Sequence, residues 1–206
     1  MKKSILGALL VVLVFTGCAT TSSGPRYVND EKVGTSAPIT MGLDYQDFRK
    51  ASMDAVQSML RSGALNKPGG GRYVLAISTL INDTTQRIDM DQLIKSIRVA
   101  LLQSGKVVVT TAIRAGGAED TMSYEARALR NSDEFNQKTV AKKGQMIAPD
   151  FSLSGKIIER TATLANGETK VDYYFQLTLT DIKTGLAYWE DEIVVSKVGS
   201  SKSVNW

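Results

Sequence analysis

Apolar residues recur at helical spacing in two stretches of the chain, from Tyr45 to Ser62 and from Met90 to Ser104. The first set is Phe48, Ala55, Val56, Met59 and Leu60, and the second is Met90, Leu93, Ile94, Ile97 and Leu101. Such spacing places each set on one face of a helix. Asp44 is a suitable N-terminal cap for the first helix. We therefore expect two amphipathic helices on a common core, with Met53 as well as Met59 buried; a contact surface for a partner is the alternative for these two methionines.

Two strands are predicted on either side of the second helix. Tyr73–Leu80 is an apolar run bounded by turn residues, and Lys106–Ile113 is rich in valine and threonine. A strand–helix–strand order implies a parallel pair with a right-handed crossover.

Three further strands are predicted at the end of the chain, at 151–160, 171–181 and 186–197. Asn166-Gly167 and Thr184-Gly185 supply hairpin turns between them, so the strands form an antiparallel meander. In the middle strand, apolar side chains alternate with polar ones, which predicts one face against the helices and one Thr-rich open face. The fold class is therefore mixed α/β, with helices on a mixed sheet.

The stretch between residues 114 and 150 has a weaker pattern. Asp120–Leu129 is predicted to be helical, and Ser132–Lys143 is predicted to be a second short helix with Phe135 and Val140 facing inward. Its basic residues have two interpretations, a solvated face or a docking patch for an acidic partner. The candidate residues for partner binding are Lys138, Lys142 and Lys143, together with Tyr174 on the open face of the meander.

The first residues have the pattern of a secretion signal. Lys2 and Lys3 precede the apolar run Ile5–Phe15, which is too short to span a bilayer as a helix. The run ends in Val-Phe-Thr-Gly-Cys, which resembles the lipobox of bacterial lipoproteins and predicts cleavage before Cys18 and acylation of that cysteine. Ala19, rather than aspartate, follows it, and by resemblance to the enterobacterial sorting pattern this favours the outer membrane.

Three segments follow from these patterns: a signal peptide at 1–17, a lipidated flexible tether at 18–43 and one globular domain at 44–206. The tether is rich in Ser, Thr, Gly and Pro and would reach roughly 80–90 Å when fully stretched. A short strand over Arg26–Val33 is the alternative for part of it. Loss of residues 1–17 lowers the net charge of +4 to about +2, which removes the main argument for nucleic-acid binding.

Composition excludes several kinds of chemistry. The chain has no histidine and one cysteine, so Ser-His-Asp or Cys-His catalysis, an intrachain disulfide and a cysteine-rich zinc site are ruled out. Glu190 and Glu192 share a strand face about 7 Å apart, a spacing known from glycosidases. Acidic residues on a solvated strand are nevertheless common without catalysis. We therefore expect no enzyme activity, no cofactor and no metal.

Residues 44–197 resemble the LpoB-like activator lipoproteins of penicillin-binding proteins. The likeness includes the lipobox that ends at Cys18. Within the domain it begins with YVLAISTLINDTTQRID at 73–89, where Asn82 and Thr84 match an Asn-x-Thr turn. It continues through the helix at 90–104, Gly105-Lys106, the strand that follows and FSLSGKIIER at 151–160. It ends in FQLTLTDIKTGLAYWEDE at 175–192, where Thr184-Gly185 and Trp189 match a Thr-Gly-x-x-x-Trp hairpin.

The resemblance implies a monomeric outer-membrane lipoprotein whose domain binds a class A penicillin-binding protein and stimulates peptidoglycan synthesis. Enterobacterial members carry a long proline-rich tether, whereas this chain has only Pro25 and Pro38 before the domain. Either the docking domain of the synthase lies far from the inner membrane, or the partner is a different one. The alternative function is a subunit of an outer-membrane secretion or assembly complex, similar to the curli-secretion lipoproteins, with Val171–Thr180 as a strand passed through the membrane.

Overall fold

The computed structural model describes residues 40–114 and 118–200. The predicted signal peptide, Cys18 and the alternative strand over Arg26–Val33 lie outside the described residues. Within them are three α-helices and five strands. In chain order these are α1 (Tyr45–Ser62), β1 (Tyr73–Asp83), α2 (Met90–Gln103), β2 (Val107–Val109), α3 (Met122–Ala128), β3 (Phe151–Thr163), β4 (Thr169–Asp181) and β5 (Ala187–Gly199), with a 3-10 turn at Leu129–Asn131 after α3.

The five strands form one mixed sheet in the order β2-β1-β3-β4-β5. β1 pairs in parallel with β2 and β3, and the last three strands pair antiparallel. The predicted parallel pair and the C-terminal meander are thus confirmed. The hairpin glycines Gly167 and Gly185 have φ of 82° and 73°, a conformation that a side chain would strain.

Two predicted elements are wrong in extent or kind. The strand predicted over Lys106–Ile113 is reduced to β2, because beyond Val109 the Thr111 carbonyl accepts the N–H groups of Glu119 and Asp120 instead of a strand partner. The helix predicted over Ser132–Lys143 is a series of turns. There the Gln137 amide donates to backbone carbonyls, including that of Leu129 at 3.2 Å, and such bonds compete with helix formation.

The core lies between the helices and one face of the sheet. Helical side chains such as Phe48, Leu93 and Ile97 are buried against it, and Phe48 meets Phe175 edge-to-face at 6.4 Å between ring centroids. Met59 is fully buried as predicted, but Met53 is 49% exposed. Five residues after Phe48 correspond to about 140° of helix rotation, which carries Met53 away from the sheet.

The segment Met41–Asp44 is held against β4 and β5 by a set of buried polar contacts that we call the N-terminal clamp. The Lys197 ammonium donates to the Gly42 carbonyl at 2.6 Å and pairs with the Asp47 carboxylate at 2.5 Å. The Tyr173 hydroxyl donates to the Met41 carbonyl at 3.0 Å and accepts from the Gln86 amide. Met41 is itself buried, so packing begins within the last residues of the predicted tether.

The same contacts begin α1. The Asp44 side chain accepts from the N–H groups of Gln46 and Asp47 at 2.9 and 3.1 Å, and the Asp47 carboxylate accepts from the Asp44 N–H at 2.8 Å. This capping box satisfies backbone donors that have no partner within the helix. Burial raises the pKa of the Asp47 carboxyl, although the Lys197 ammonium and the Asp44 N–H act in the opposite direction.

Replacing Asp47 with alanine leaves the buried Lys197 ammonium without its nearest carboxylate. Removing one member of a buried ion pair costs several kcal/mol. We expect Asp47→Ala to lower the free energy of unfolding by about 3 kcal/mol, measured by urea denaturation of the chain from residue 18. Lys50→Ala, which breaks the exposed Lys50–Asp54 pair, is the control and should cost less than about 1 kcal/mol. Equal losses in the two variants would contradict the role of the clamp.

The Tyr173 hydroxyl gives the clamp an alkaline limit. Burial, with a smaller contribution from Glu159, raises the pKa of Tyr173 to about 12, whereas a tyrosine in the unfolded chain titrates near pH 10. Its contribution to stability is therefore complete below about pH 10 and is lost as the pH rises toward 12. We expect Tyr173→Phe to be less stable than wild type at pH 8, with the difference narrowing above pH 10 in urea titrations. A difference that stays constant with pH would contradict this assignment.

Candidate functional site

A cavity lined by basic side chains opens between α3 and the turns that follow it. Its volume is about 520 Å³, and we call it the basic pocket. The side chains that give it its character are Tyr124, Arg127, Arg130, Lys142, Lys143 and Met146. Four of these are cations and none is acidic, so the pocket presents concentrated positive charge beside an aromatic ring and a thioether.

Local contacts shape each half of the basic pocket. Arg127 lies in the last turn of α3, and the Arg130 Nε donates to its carbonyl at 2.8 Å. On the other side, the Lys142 N–H donates to the Gln145 side-chain oxygen at 2.8 Å, and Gly144 has a φ of 78°. This tight turn carries Lys142 and Lys143, which line the same pocket as the two arginines.

The charges of the basic pocket are not neutralised by carboxylates. None of the eight ion pairs found within residues 40–114 and 118–200 includes Arg127, Arg130, Lys142 or Lys143. The Arg127 guanidinium donates instead to the neutral Ser123 carbonyl at 2.9 Å. Guanidinium and ammonium groups in this state attract carboxylates or phosphates of a partner.

The structure brings together only part of the predicted patch. Lys142 and Lys143 line the basic pocket, whereas Lys138 is exposed on the same series of turns and does not line it. Phe135, which was expected to face inward, is 47% exposed. Arg127 and Arg130 are pocket residues that the sequence analysis missed. The available signal was their spacing, because residues three apart at the end of a helix lie on the same side of it.

Tyr174 lies elsewhere, on the face of β4 that points away from the helices. Ile158 of β3 and Val194 of β5 are its cross-strand partners in the register of the sheet. Together they form an apolar row across the predicted open face. Polar pairs flank it, such as Gln176 with Glu192 at 2.8 Å. The row is a second candidate contact surface, separate in sequence from the basic pocket.

The acidic residues singled out in the sequence lie on an exposed face of the sheet. Glu190 and Glu192 are exposed and bonded to Thr178 and Gln176 across the sheet, so neither is desolvated as a catalytic acid would be. Within the described ranges, no group of three or more acidic residues could hold a metal ion. No helix among the same residues has the length and apolar character needed to cross a membrane.

A family model described as the peptidoglycan-synthase activator LpoB matches residues 47–195, well over half of the chain. The chain belongs to the LpoB family. The matched span contains the whole basic pocket and most of the sheet, and it confirms the resemblance found in the sequence motifs. No curated protein matches the LpoB-family chain significantly.

The solved structures to which the chain is similar are distant in sequence. The C-terminal domain of LpoB from Escherichia coli is 15% identical with a TM-score of 0.41, and the match covers 73% of this chain and 99% of that one. The corresponding domain from Salmonella enterica is 14% identical with a TM-score of 0.41, at 72% and 98% coverage. The lipoprotein GNA1162 from Neisseria meningitidis is 12% identical with a TM-score of 0.37, at 65% and 87% coverage.

Proposed function

We propose that this LpoB-family protein is a lipoprotein of the outer membrane, anchored through Cys18, whose periplasmic domain binds and stimulates a class A penicillin-binding protein. The observation that carries the proposal is the family match over residues 47–195. Under this proposal the protein is a regulator of peptidoglycan synthesis and cell-wall growth, and it catalyses no reaction itself. The lipobox-like end of the apolar run supports the anchor.

The basic pocket supports binding through charge. A synthase surface that carries carboxylates would meet four cations that lack carboxylate partners within the domain. Such complementarity accelerates encounter and fixes the register of the two proteins. Tyr124 and Met146 supply apolar contact area at the same place, and this combination is frequent in protein interfaces.

Stimulation needs no catalytic side chain on the activator. A ligand shifts an equilibrium between two conformations only by its difference in affinity for them. The domain would therefore stimulate the synthase by binding its active conformation more tightly than its inactive one. A tenfold preference corresponds to about 1.4 kcal/mol, which one or two well-placed charge contacts can supply.

Charge reversal in the basic pocket tests the proposed interface. We expect Lys142→Glu combined with Lys143→Glu to raise the Kd for the class A synthase of the same bacterium by about tenfold or more. Kd would be measured by biolayer interferometry with the chain from residue 18. Stimulation of glycan polymerisation should fall in parallel. Lys138→Glu, on the same turns but outside the pocket, is the matched control and should change Kd less than about threefold.

Two results would contradict parts of this proposal separately. Unchanged affinity in a folded double variant would remove the basic pocket as the interface and leave Tyr174 as the residue to test next. Failure of the wild-type chain to bind any class A synthase, with secretion components captured instead from native membranes, would overturn the function itself.

Anchoring through Cys18 is tested independently. We expect labelled palmitate to be incorporated into the wild-type chain in cells and to be absent from Cys18→Ser, because that variant has no thiol to acylate. The wild-type chain should fractionate with the outer membrane, and Cys18→Ser should not. Labelling of Cys18→Ser, or inner-membrane fractionation of the wild type, would contradict the proposed anchor or its location.

A further inference from the structure

A groove runs between α1 and α2 on the side of the helices that faces solvent. We call it the helix groove; its volume is about 420 Å³. On α1 it is lined from Tyr45 to Met53, and on α2 from Gln92 to Gln103. At about 1.5 Å of rise per residue, the lined stretch of α2 is roughly 16 Å long, which is about three turns of a helix.

The helix groove exposes large apolar side chains that the core does not use. Tyr45, Met53 and Val99 are 46%, 49% and 41% exposed, and all three line it. Apolar side chains that are clustered rather than scattered mark contact surfaces. Met53 adds an unbranched, polarisable thioether that adapts to the shape of a partner.

The charge of the helix groove has one sign. Arg49 on α1 and Lys95 on α2 are the charged residues that line it, and neither belongs to an ion pair among the described residues. The carboxylate of Glu119, on which Lys95 acts electrostatically, is itself paired with Arg98. A partner that covers the groove therefore has to bring carboxylates of its own, or leave two cations partly desolvated.

The walls of the groove favour a helical occupant. Both walls are helices, whose backbone donors and acceptors are bonded within each helix. The groove therefore offers no strand edge with which an extended segment could pair. An α-helix satisfies its own backbone and binds through side chains alone, so it suits walls of this kind.

We propose that the helix groove binds an amphipathic α-helix of a partner protein, about three turns long, with apolar residues on one face and carboxylates beside that face. Apolar residues spaced at i, i+3/i+4 and i+7 would contact Tyr45, Met53 and Val99. The carboxylates would pair with Arg49 and Lys95. A bilayer surface is broad and flat and fits a concave groove between two helices less well. This inference concerns a surface separate from the basic pocket and does not depend on synthase binding.

The test uses a defined probe rather than an unknown partner. The probe is a fluorescein-labelled, lactam-stapled 14-residue helix with leucines at i, i+3, i+4 and i+7 and glutamates flanking them. We expect fluorescence anisotropy to give a Kd in the micromolar range with the chain from residue 18. Arg49→Glu combined with Lys95→Glu should weaken binding at least tenfold. The same helix with lysines in place of its glutamates should bind the double variant more tightly than it binds the wild-type chain. Loss of structure in the variant would weaken the binding of both probes instead.

Matched controls separate groove binding from other effects. Val99→Ser should weaken probe binding, whereas Val198→Ser, which is similarly exposed on β5, should not. Arg61→Glu, at the end of α1 and outside the groove, should also leave the Kd unchanged.

Three kinds of outcome would overturn the proposal. The first is no binding of the acidic probe up to 1 mM, or equal binding of the acidic and basic probes to the wild-type chain. The second is groove-dependent sedimentation of the chain with anionic phosphatidylglycerol vesicles while the probe fails to bind, which would assign the groove to a lipid surface. The third is concentration-dependent self-association that Val99→Ser abolishes, which would assign it to a second copy of the chain.

Discussion

The buried ammonium of Lys197 determines how the first and last elements of the domain meet. An ammonium with so little access to water is stable only when oxygen atoms surround it. The Gly42 carbonyl and the Asp47 carboxylate, at 2.6 and 2.5 Å, meet this requirement. Both belong to the N-terminal side of α1, whereas Lys197 belongs to the edge strand β5. One side chain thereby fixes the start of the first helix to the last strand of the sheet.

This constraint matters mechanically for a chain that is anchored on its N-terminal side, as proposed here. A pull transmitted along the chain would reach the domain at Met41. The contacts at that point are not only the ion pair but also the Tyr173 hydroxyl, which lies on the neighbouring strand β4. The load would therefore pass directly to two long strands that pair along most of their lengths. Helix α1 would be loaded only through its cap.

Close approach between β3 and β4 further shapes the layer beneath the helices. Gly155 lies in β3, where an added Cβ would meet the backbone oxygen of Gln176 and the side chains of Leu177 and Leu80. A glycine here leaves the space over β3 to the side chains of Leu80 of β1 and Leu177 of β4. The two sides of the sheet have different roles. One is filled by the core, and the other presents the apolar row around Tyr174.

Elements in which apolar residues recur with a clear period could be predicted from the sequence, because burial of one face determines both that period and the position of the element. α1, α2 and the meander are of this kind. β2 and the turns after α3 are not, since their ends depend on whether a partner strand is present and on side-chain bonds such as those of Gln137. The basic pocket was only half predicted for the same reason. Lys142 and Lys143 are neighbours in sequence, but Arg127 and Arg130 join them only through the fold.

The surfaces that we assign to partners are those where local sequence pattern and packing disagree. Met53 lies among the apolar residues of α1 in the sequence, yet its angular position removes it from the core, so its apolar surface is left for something outside the domain. The cations of the basic pocket likewise lie in a chain segment that the core does not require to be regular. A binding domain has to combine a core that specifies one structure with surfaces that the core leaves unused. Here the sheet, the inner faces of the helices and the clamp provide the first, and the outward side chains of the helix groove and the basic pocket provide the second, so that changes in either surface need not disturb the fold.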